Sequence, residues 1–110
     1  MAKSERVNLT TAGWVTAWHA VPSGAVGLGV QIETATTTGW QSSSIVLQWK
    51  IDDGTVTDPS GQDFDPAISF ASGTPARRKI DIAGVTHVRL KTATGGSGAD
   101  PAATYVLNFI

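Results

Sequence analysis

Cysteine is absent from this chain of 110 residues. The absence excludes disulfide bonds and thiolate metal sites, so we expect burial of apolar side chains to hold the fold together. Apolar runs are also short, and none approaches the ~18 residues that a membrane-spanning helix requires. The first residues lack the apolar segment of a secretion signal. We therefore expect a soluble protein that is made in a cytoplasm and does not enter a membrane.

Charge and histidine are scarce as well. Eight Lys and Arg residues face nine Asp and Glu residues, so the net charge is −1, which argues against a general nucleic-acid binder. The two histidines, His19 and His87, lie far apart in the chain, and no serine or histidine stands in a recognisable nucleophile motif. We predict that the protein is not an enzyme and uses no cofactor.

Helical periodicity is missing too, and alternation with a period of two takes its place. In "VGLGVQIETA", Val26, Leu28, Val30 and Ile32 alternate with glycine and polar residues. The same alternation recurs in "IVLQWKID", in "THVRLKTA" and in the C-terminal "TYVLNFI". Such segments are typical of strands with one buried face.

Turn-forming residues separate these strands. Clusters of Gly, Pro, Asp and Ser occupy residues 21–25, 52–54, 58–63, 71–75 and 95–101. We predict one all-β domain over residues 1–110, an antiparallel β-sandwich of Ig-like or jelly-roll-like type with about seven to eight short strands. Residues 57–75 form the longest irregular region, within which "AISF" is expected to be a short edge strand.

The basic residues concentrate in "RRKIDIAGVTHVRLKTATGG". A hairpin with a three-residue loop at 83–85 would place Lys79 opposite Arg89 and Arg77 opposite Lys91 on one outer face. Each like-charge pair would cost on the order of tenths of a kcal/mol, which suggests an acidic partner. Alternatively, the loop is a corner at which the chain changes sheets, and the two pairs of charges are separated.

Three functions are open to this basic surface. It is a solvated face whose charges discourage aggregation of sheet edges, or a docking face for another protein, or a nucleic-acid site. Nucleic acid is disfavoured because no aromatic residue interleaves with Arg77, Lys79, Arg89 and Lys91 to stack on bases.

The four tryptophans allow either core or surface functions. Trp49 lies on a strongly apolar strand face and is expected in the core. In "GWVTAWHAV", alternation puts Trp14 and Trp18 on one face and His19 on the other, and either face could be buried. Trp40 lies in a polar segment. Trp14 and Trp40 are candidates for a protein interface, and together with Trp18 for a sugar-stacking platform.

Aspartates crowd one region of the chain. Carboxylate oxygens suit calcium, so these residues are weak candidates for a metal site, although aspartate is equally common in turns and the spacing is not that of an EF-hand. The candidates are Asp52, Asp53, Asp58, Asp63 and Asp65.

The order of motifs over residues 40–110 resembles the small β-sandwich virion proteins of tailed bacteriophages. The residues that carry the resemblance are "IVLQWKIDDGT", then "KIDIAGVTHVRLKTATGGSG", then "ATYVLNFI". Proteins of that kind often have a strand ending in an Asp-Gly turn, followed by an "AGV" corner and a "VRL" strand.

This resemblance implies a structural protein of the virion: a capsid decoration or cement protein on the head surface, a head fibre component or a tail accessory protein, with decoration of the head favoured. Its partners would be the major capsid or tail proteins, and closed symmetry would favour a homo-oligomer. Residues 1–11 are a possible arm that adds a strand to a neighbouring subunit or to the shell. Deletion of residues 1–8 would then abolish binding to the particle and leave the melting curve unchanged. A carbohydrate-binding module that uses the exposed tryptophans is the alternative.

Overall fold

The computed structural model describes residues 3–34, 42–52, 54–55, 60–71, 77–96 and 103–110. These residues form strands and connecting turns, without a helix. The strands are β1 (Lys3–Arg6), β2 (His19–Ala20), β3 (Gly27–Glu33), β4 (Ser44–Lys50), β5 (Gln62–Asp63), β6 (Ser69–Ala71), β7 (Arg77–Asp81), β8 (His87–Thr94) and β9 (Thr104–Phe109). In the described part of the chain, no helix is long and apolar enough to cross a bilayer.

Two antiparallel sheets pack as a sandwich, which confirms the predicted fold class. Sheet A has the strand order β1-β9-β3-β7, and sheet B has the order β2-β8-β4-β5, with β6 pairing β4 beside β5. The short strand β6 includes part of the "AISF" segment and pairs with β4 alone, as expected of an edge strand.

The core lies between the two sheets and is built by the alternation that the sequence shows. Successive side chains of a strand point to opposite faces, so every second residue enters the core. Sheet A contributes Leu28, Val30, Ile32, Ile80, Tyr105 and Leu107, and sheet B contributes Ile45, Leu47, Phe70, Val88 and Leu90. The remaining faces of both sheets point outward, and any binding surface on the strands lies there.

The basic segment is a corner between the sheets and not a hairpin. Strand β7 pairs with β3 in sheet A, whereas β8 pairs with β4 and β2 in sheet B. Gly84 turns the chain with a φ of 84°, and the Val85 amide donates to the Ile82 carbonyl at 3.0 Å. The hairpin expectation is therefore wrong, because β7 pairs with β3 and not with β8. The alternative, a corner at which the chain changes sheets, is confirmed.

A β-bulge interrupts the segment that contains Trp14 and Trp18. Val15 pairs with Lys91, and His19 pairs with Val88, so four steps along one strand match three along the other. The extra residue reverses the alternation. As a result Trp14 packs against the core while Trp18 lies over the outer face of sheet B, and the expectation of a shared face is wrong.

The N-terminal segment belongs to the body of the domain. Strand β1 pairs with β9 of the same chain, and the Val7 amide donates to the Ala103 carbonyl at 3.0 Å. Val7 and Leu9 are fully buried. In this structure the first described residues therefore complete their own sheet and do not extend as an arm.

Candidate functional site

The four basic residues of the predicted surface lie on opposite sides of the molecule. Arg77 and Lys79 point outward from sheet A, and Arg89 and Lys91 lie on the outer side of sheet B. The corner at Gly84 is the reason, because it carries the chain from one sheet to the other. The four residues therefore form two separate pairs, one on each sheet. The repulsion between like charges that a hairpin would cause does not arise.

A shallow groove of about 430 Å³ runs along the outer face of sheet A. We call it the Gly29 groove; the outward-facing residues that line it are Gly29, Gln31, Arg77, Lys79, Val106 and Asn108. In the strand register, Gly29 pairs with Lys79 on one side and with Asn108 on the other. Because glycine has no side chain, the central strand is open to solvent between these two neighbours.

The groove is a feature that our sequence analysis missed. The signal was present in "VGLGV", where glycines occupy the outward positions of a strand. Glycine weakens a strand and often marks a site that another chain approaches closely. An ideal Cβ atom at Gly29 would lie 3.9 Å from the Asn108 carbonyl oxygen, which is ordinary contact, so packing in the folded chain does not require glycine here.

On sheet B the outer face is covered by Trp18. The Arg89 guanidinium carbon lies 4.2 Å from the centre of the Trp18 ring, and the Lys50 Nζ atom lies 4.6 Å from it. Both distances suit cation-π attraction. An ideal Cβ atom at Gly61 would be 2.5 Å from Trp18 Cη2, so the ring also fills the space that a larger residue would need.

A row of hydrogen bonds crosses three strands beneath this ring. Arg89 Nε donates to Gln48 Oε1 at 2.8 Å, and Gln48 Nε2 donates to Asp63 Oδ1 at 2.7 Å. Lys50 pairs with Asp52, with Nζ and Oδ2 3.6 Å apart. Arg89 is therefore engaged by its own chain, which leaves it less available to a partner than Arg77 or Lys79.

Between the sheets lies a polar cluster of Glu5, His19 and Tyr105. The Tyr105 hydroxyl donates to Glu5 Oε2 at 2.7 Å, and its oxygen lies 2.8 Å from His19 Nε2. Burial raises the pKa of Tyr105 above its ordinary value, and the hydrogen bond and charge of Glu5 raise it further, against a smaller lowering by Thr16. The cluster thus holds a neutral phenol and ties β1, β2 and β9 together.

The two histidines lie on neighbouring strands but on opposite faces of sheet B. His19 points toward Tyr105, whereas His87 Nδ1 lies 2.9 Å from Thr86 Oγ1. His19 pairs with Val88, and Ala20 pairs with His87, so the alternation of the strands separates the two rings. They do not combine into one acid-base site.

The tryptophans divide among different environments. Trp49 packs against the core, as predicted. Trp14 also packs against the core, but it lines a small depression of about 280 Å³ with Arg6 and Asn8. Trp40 lies outside the described residues.

The aspartates do not converge on a metal centre where the structure describes them. Asp52 pairs with Lys50, and Asp63 accepts from Gln48. Asp65 is exposed, and no group of at least three His, Asp or Glu side chains suited to a metal ion occurs among the described residues. Asp53 and Asp58 lie outside the described part of the chain.

A second depression, of about 520 Å³, lies at the end of the sandwich near the Gly84 corner. Trp49 and Phe64 form one wall, with ring centres 6.3 Å apart, and Ile51 is 46% exposed beside them. Asp65 and Asp81 also line the depression. Aromatic rings beside carboxylates suit a ligand with hydroxyl groups and an apolar face.

Comparison with known proteins returns no relative: no family model, curated protein or solved structure matches the chain. The residues and surfaces of the chain, together with the resemblance of its motifs, are therefore the basis for assigning a function.

Proposed function

We propose that this protein is a non-enzymatic structural protein of a tailed-bacteriophage virion, most simply a capsid decoration protein that binds the head surface. The observation that carries the proposal is the "KIDIAGVTHVRL" motif, which has the local form that the resemblance implies. The "AGV" residues make a corner, and "VRL" lies in a central strand of sheet B. Upstream, strand β4 ends just before the turn that contains Gly54.

The distribution of polar groups favours a structural function over catalysis. The histidines lie on opposite faces of one sheet, and the polar contacts of Arg89, Gln48 and Tyr105 connect strands of the same domain. Such contacts stabilise a rigid sandwich. A rigid domain with an open outer face on sheet A suits repeated docking on a symmetric particle, with major capsid or tail proteins as partners and a homo-oligomer as the expected assembly.

Immunogold electron microscopy tests this proposal. An antibody raised against the chain is applied to a lysate of the source phage or organism, with antibody pre-absorbed on the purified protein as the control. Label spread over heads is the expected result. Label confined to tails would retain a virion protein but overturn the head location, and particles without label would overturn the proposal.

A carbohydrate-binding module is the second candidate, and the depression beside Trp49 and Phe64 favours it. The tryptophans first considered for stacking are less suited, because Trp14 packs against the core and Trp18 is engaged by Arg89 and Lys50. Unlabelled particles together with a saturable change in tryptophan fluorescence on addition of bacterial surface glycans would favour this candidate.

A further inference from the structure

The outer face of sheet A carries two cations without an anionic partner in the described part of the chain. Arg77 and Lys79 are exposed, and neither forms an ion pair with a described residue. The acidic residues nearest in the register have other hydrogen bonds. The Ala83 backbone amide donates to Asp81 Oδ1 at 2.9 Å, and the Gln31 side-chain Nε2 donates to Glu33 Oε1. Both carboxylates keep their negative charge, but neither lines the Gly29 groove. The charged residues that do line it, Arg77, Arg78 and Lys79, are all cations, so an anionic group is attracted there.

Apolar surface borders the same cations. Val106 of β9 lines the Gly29 groove and is paired with Gln31 of the adjacent strand β3. Ile110 is 68% exposed, and its side chain lies over Gly27, the next outward position of β3. A partner that fits this face has to offer carboxylates and an apolar side chain together. Protection of a sheet edge by charge would require neither the groove nor the exposed isoleucine.

The chemistry of the lining favours polypeptide. No aromatic side chain lines the groove, so bases would find no stacking surface among the described residues. Arg77 and Lys79 are two residues apart on one strand, so their Cα atoms are separated by roughly 6.6 Å, the spacing of alternate residues in an extended chain. An extended segment with acidic residues at alternate positions matches that spacing.

We infer that the Gly29 groove is a docking site for an acidic polypeptide segment, which places carboxylates beside Arg77 and Lys79 and an apolar side chain above Gly29. The groove and its charges belong to the fold, so this inference holds or fails independently of the virion proposal. If both hold, sheet A is the face that meets the partner, and sheet B faces away.

The test is a titration of isotope-labelled protein with a synthetic peptide, followed by amide chemical shifts. The probe is three repeats of Ser-Glu-Leu-Glu, and the control peptide has glutamine in place of glutamate. We expect saturable shifts centred on Gly29, Lys79 and Asn108 that weaken as salt is added, and a much smaller response to the control peptide.

Variants separate the contribution to affinity of the two positive charges from that of the open space at Gly29. Arg77→Gln with Lys79→Gln is expected to weaken binding about ten-fold, since two charged contacts are lost. The matched control, Arg6→Gln with Lys91→Gln, removes the same net charge outside the groove and is expected to change affinity less than about two-fold. Gly29→Val adds a side chain in the groove, where a Cβ atom would make only ordinary contacts, and is expected to weaken binding by at least about ten-fold.

Several results would overturn the inference. One is a set of chemical-shift changes centred elsewhere on the protein, and another is an equal response to the glutamine peptide. The others are an equal loss of affinity in the Arg77→Gln, Lys79→Gln variant and its control variant, and unchanged affinity of Gly29→Val. A stronger response to a single-stranded oligonucleotide under the same conditions would likewise overturn it. If the valine variant does not fold, as judged from the dispersion of its amide signals, the comparison of the two charge variants still decides.

Discussion

At the scale of single residues, Tyr105 is the side chain that joins Glu5 and His19 into the polar cluster between the sheets. It is the single tyrosine of the chain and is almost completely buried. A buried hydroxyl without a partner would cost about 1–3 kcal/mol, and the contacts with Glu5 and His19 avoid that cost. They also connect the last strand, β9, with β1 and β2 at the other end of the sequence.

The raised pKa of Tyr105 predicts a pH dependence of stability. Above about pH 10 the unfolded chain loses the phenol proton, while the folded protein keeps it, so the unfolded state is favoured as the pH rises. The free energy of unfolding should fall by about 1.4 kcal/mol per pH unit in that range, and no such loss arises from this group at lower pH. Denaturant titrations at a series of alkaline pH values measure the slope.

Tyr105→Phe is the matched control for this prediction. The variant keeps the ring but removes the titrating group, so its stability should fall less steeply above about pH 10 than that of the parent protein. Near neutral pH it should be less stable by about 1 kcal/mol, because the hydrogen bond to Glu5 is lost. Parallel slopes for the two proteins would contradict the assignment.

The position of Trp18 could not be predicted from the sequence. Its segment alternates well enough to predict a strand, but the side of the sheet on which a tryptophan lies depends on the bulge opposite Arg89. A bulge is set by how two strands pair, and the sequence of one strand does not contain that information. The contacts with Arg89 and Lys50 therefore could not be inferred, although all three residues are visible in the sequence.

At the scale of elements, strand β1 and the residues after it close one side of the sandwich. Val7 and Leu9 fill the core beside β9, and the chain crosses to sheet B only after them. This arrangement predicts the opposite of a dispensable arm. The N-terminal segment should be required for the stability of the domain.

Removal of residues 1–8 should therefore lower the melting temperature or prevent folding, since it deletes a strand and a buried valine. Val7→Ala is the milder change and should cost about 2 kcal/mol through lost burial and the resulting cavity. Arg6→Ala, an exposed neighbour, is the control and should remain within about 0.5 kcal/mol of the parent. Urea denaturation and thermal melting measure these differences. An unchanged melting curve for the truncated chain would restore the interpretation as an arm.

The corner between β7 and β8 explains why the basic surface was only half predicted. A hairpin and a corner bury the same alternate residues, so the period of two cannot distinguish them. Repulsion between the like-charge pairs was the one physical argument against a hairpin. In the structure this repulsion is avoided, because Arg77 and Arg89 lie in different sheets. Which strands pair was decided by long-range packing, and the charge pattern is a consequence of it.

At the scale of the whole molecule, the layers were predictable and the connections were not. The alternating segments are enough to indicate two sheets with a core between them. The strand order, however, joins the first strand to the last and places β9 between β1 and β3. Because the Gly29 groove needs β7, β3 and β9 side by side, it becomes visible only when that order is known.

The same topology makes a prediction about folding speed. In both sheets the main pairings join strands that are distant in sequence, such as β1 with β9, β3 with β9 and β4 with β8. The entropy of closing these loops is lost before the contacts form, which slows folding of β-sandwiches to milliseconds or seconds. Stopped-flow refolding, followed by tryptophan fluorescence, should show a main phase in that range. A main phase of microseconds would contradict the prediction, because it would require local contacts to organise the fold, and the strand order contains few of them.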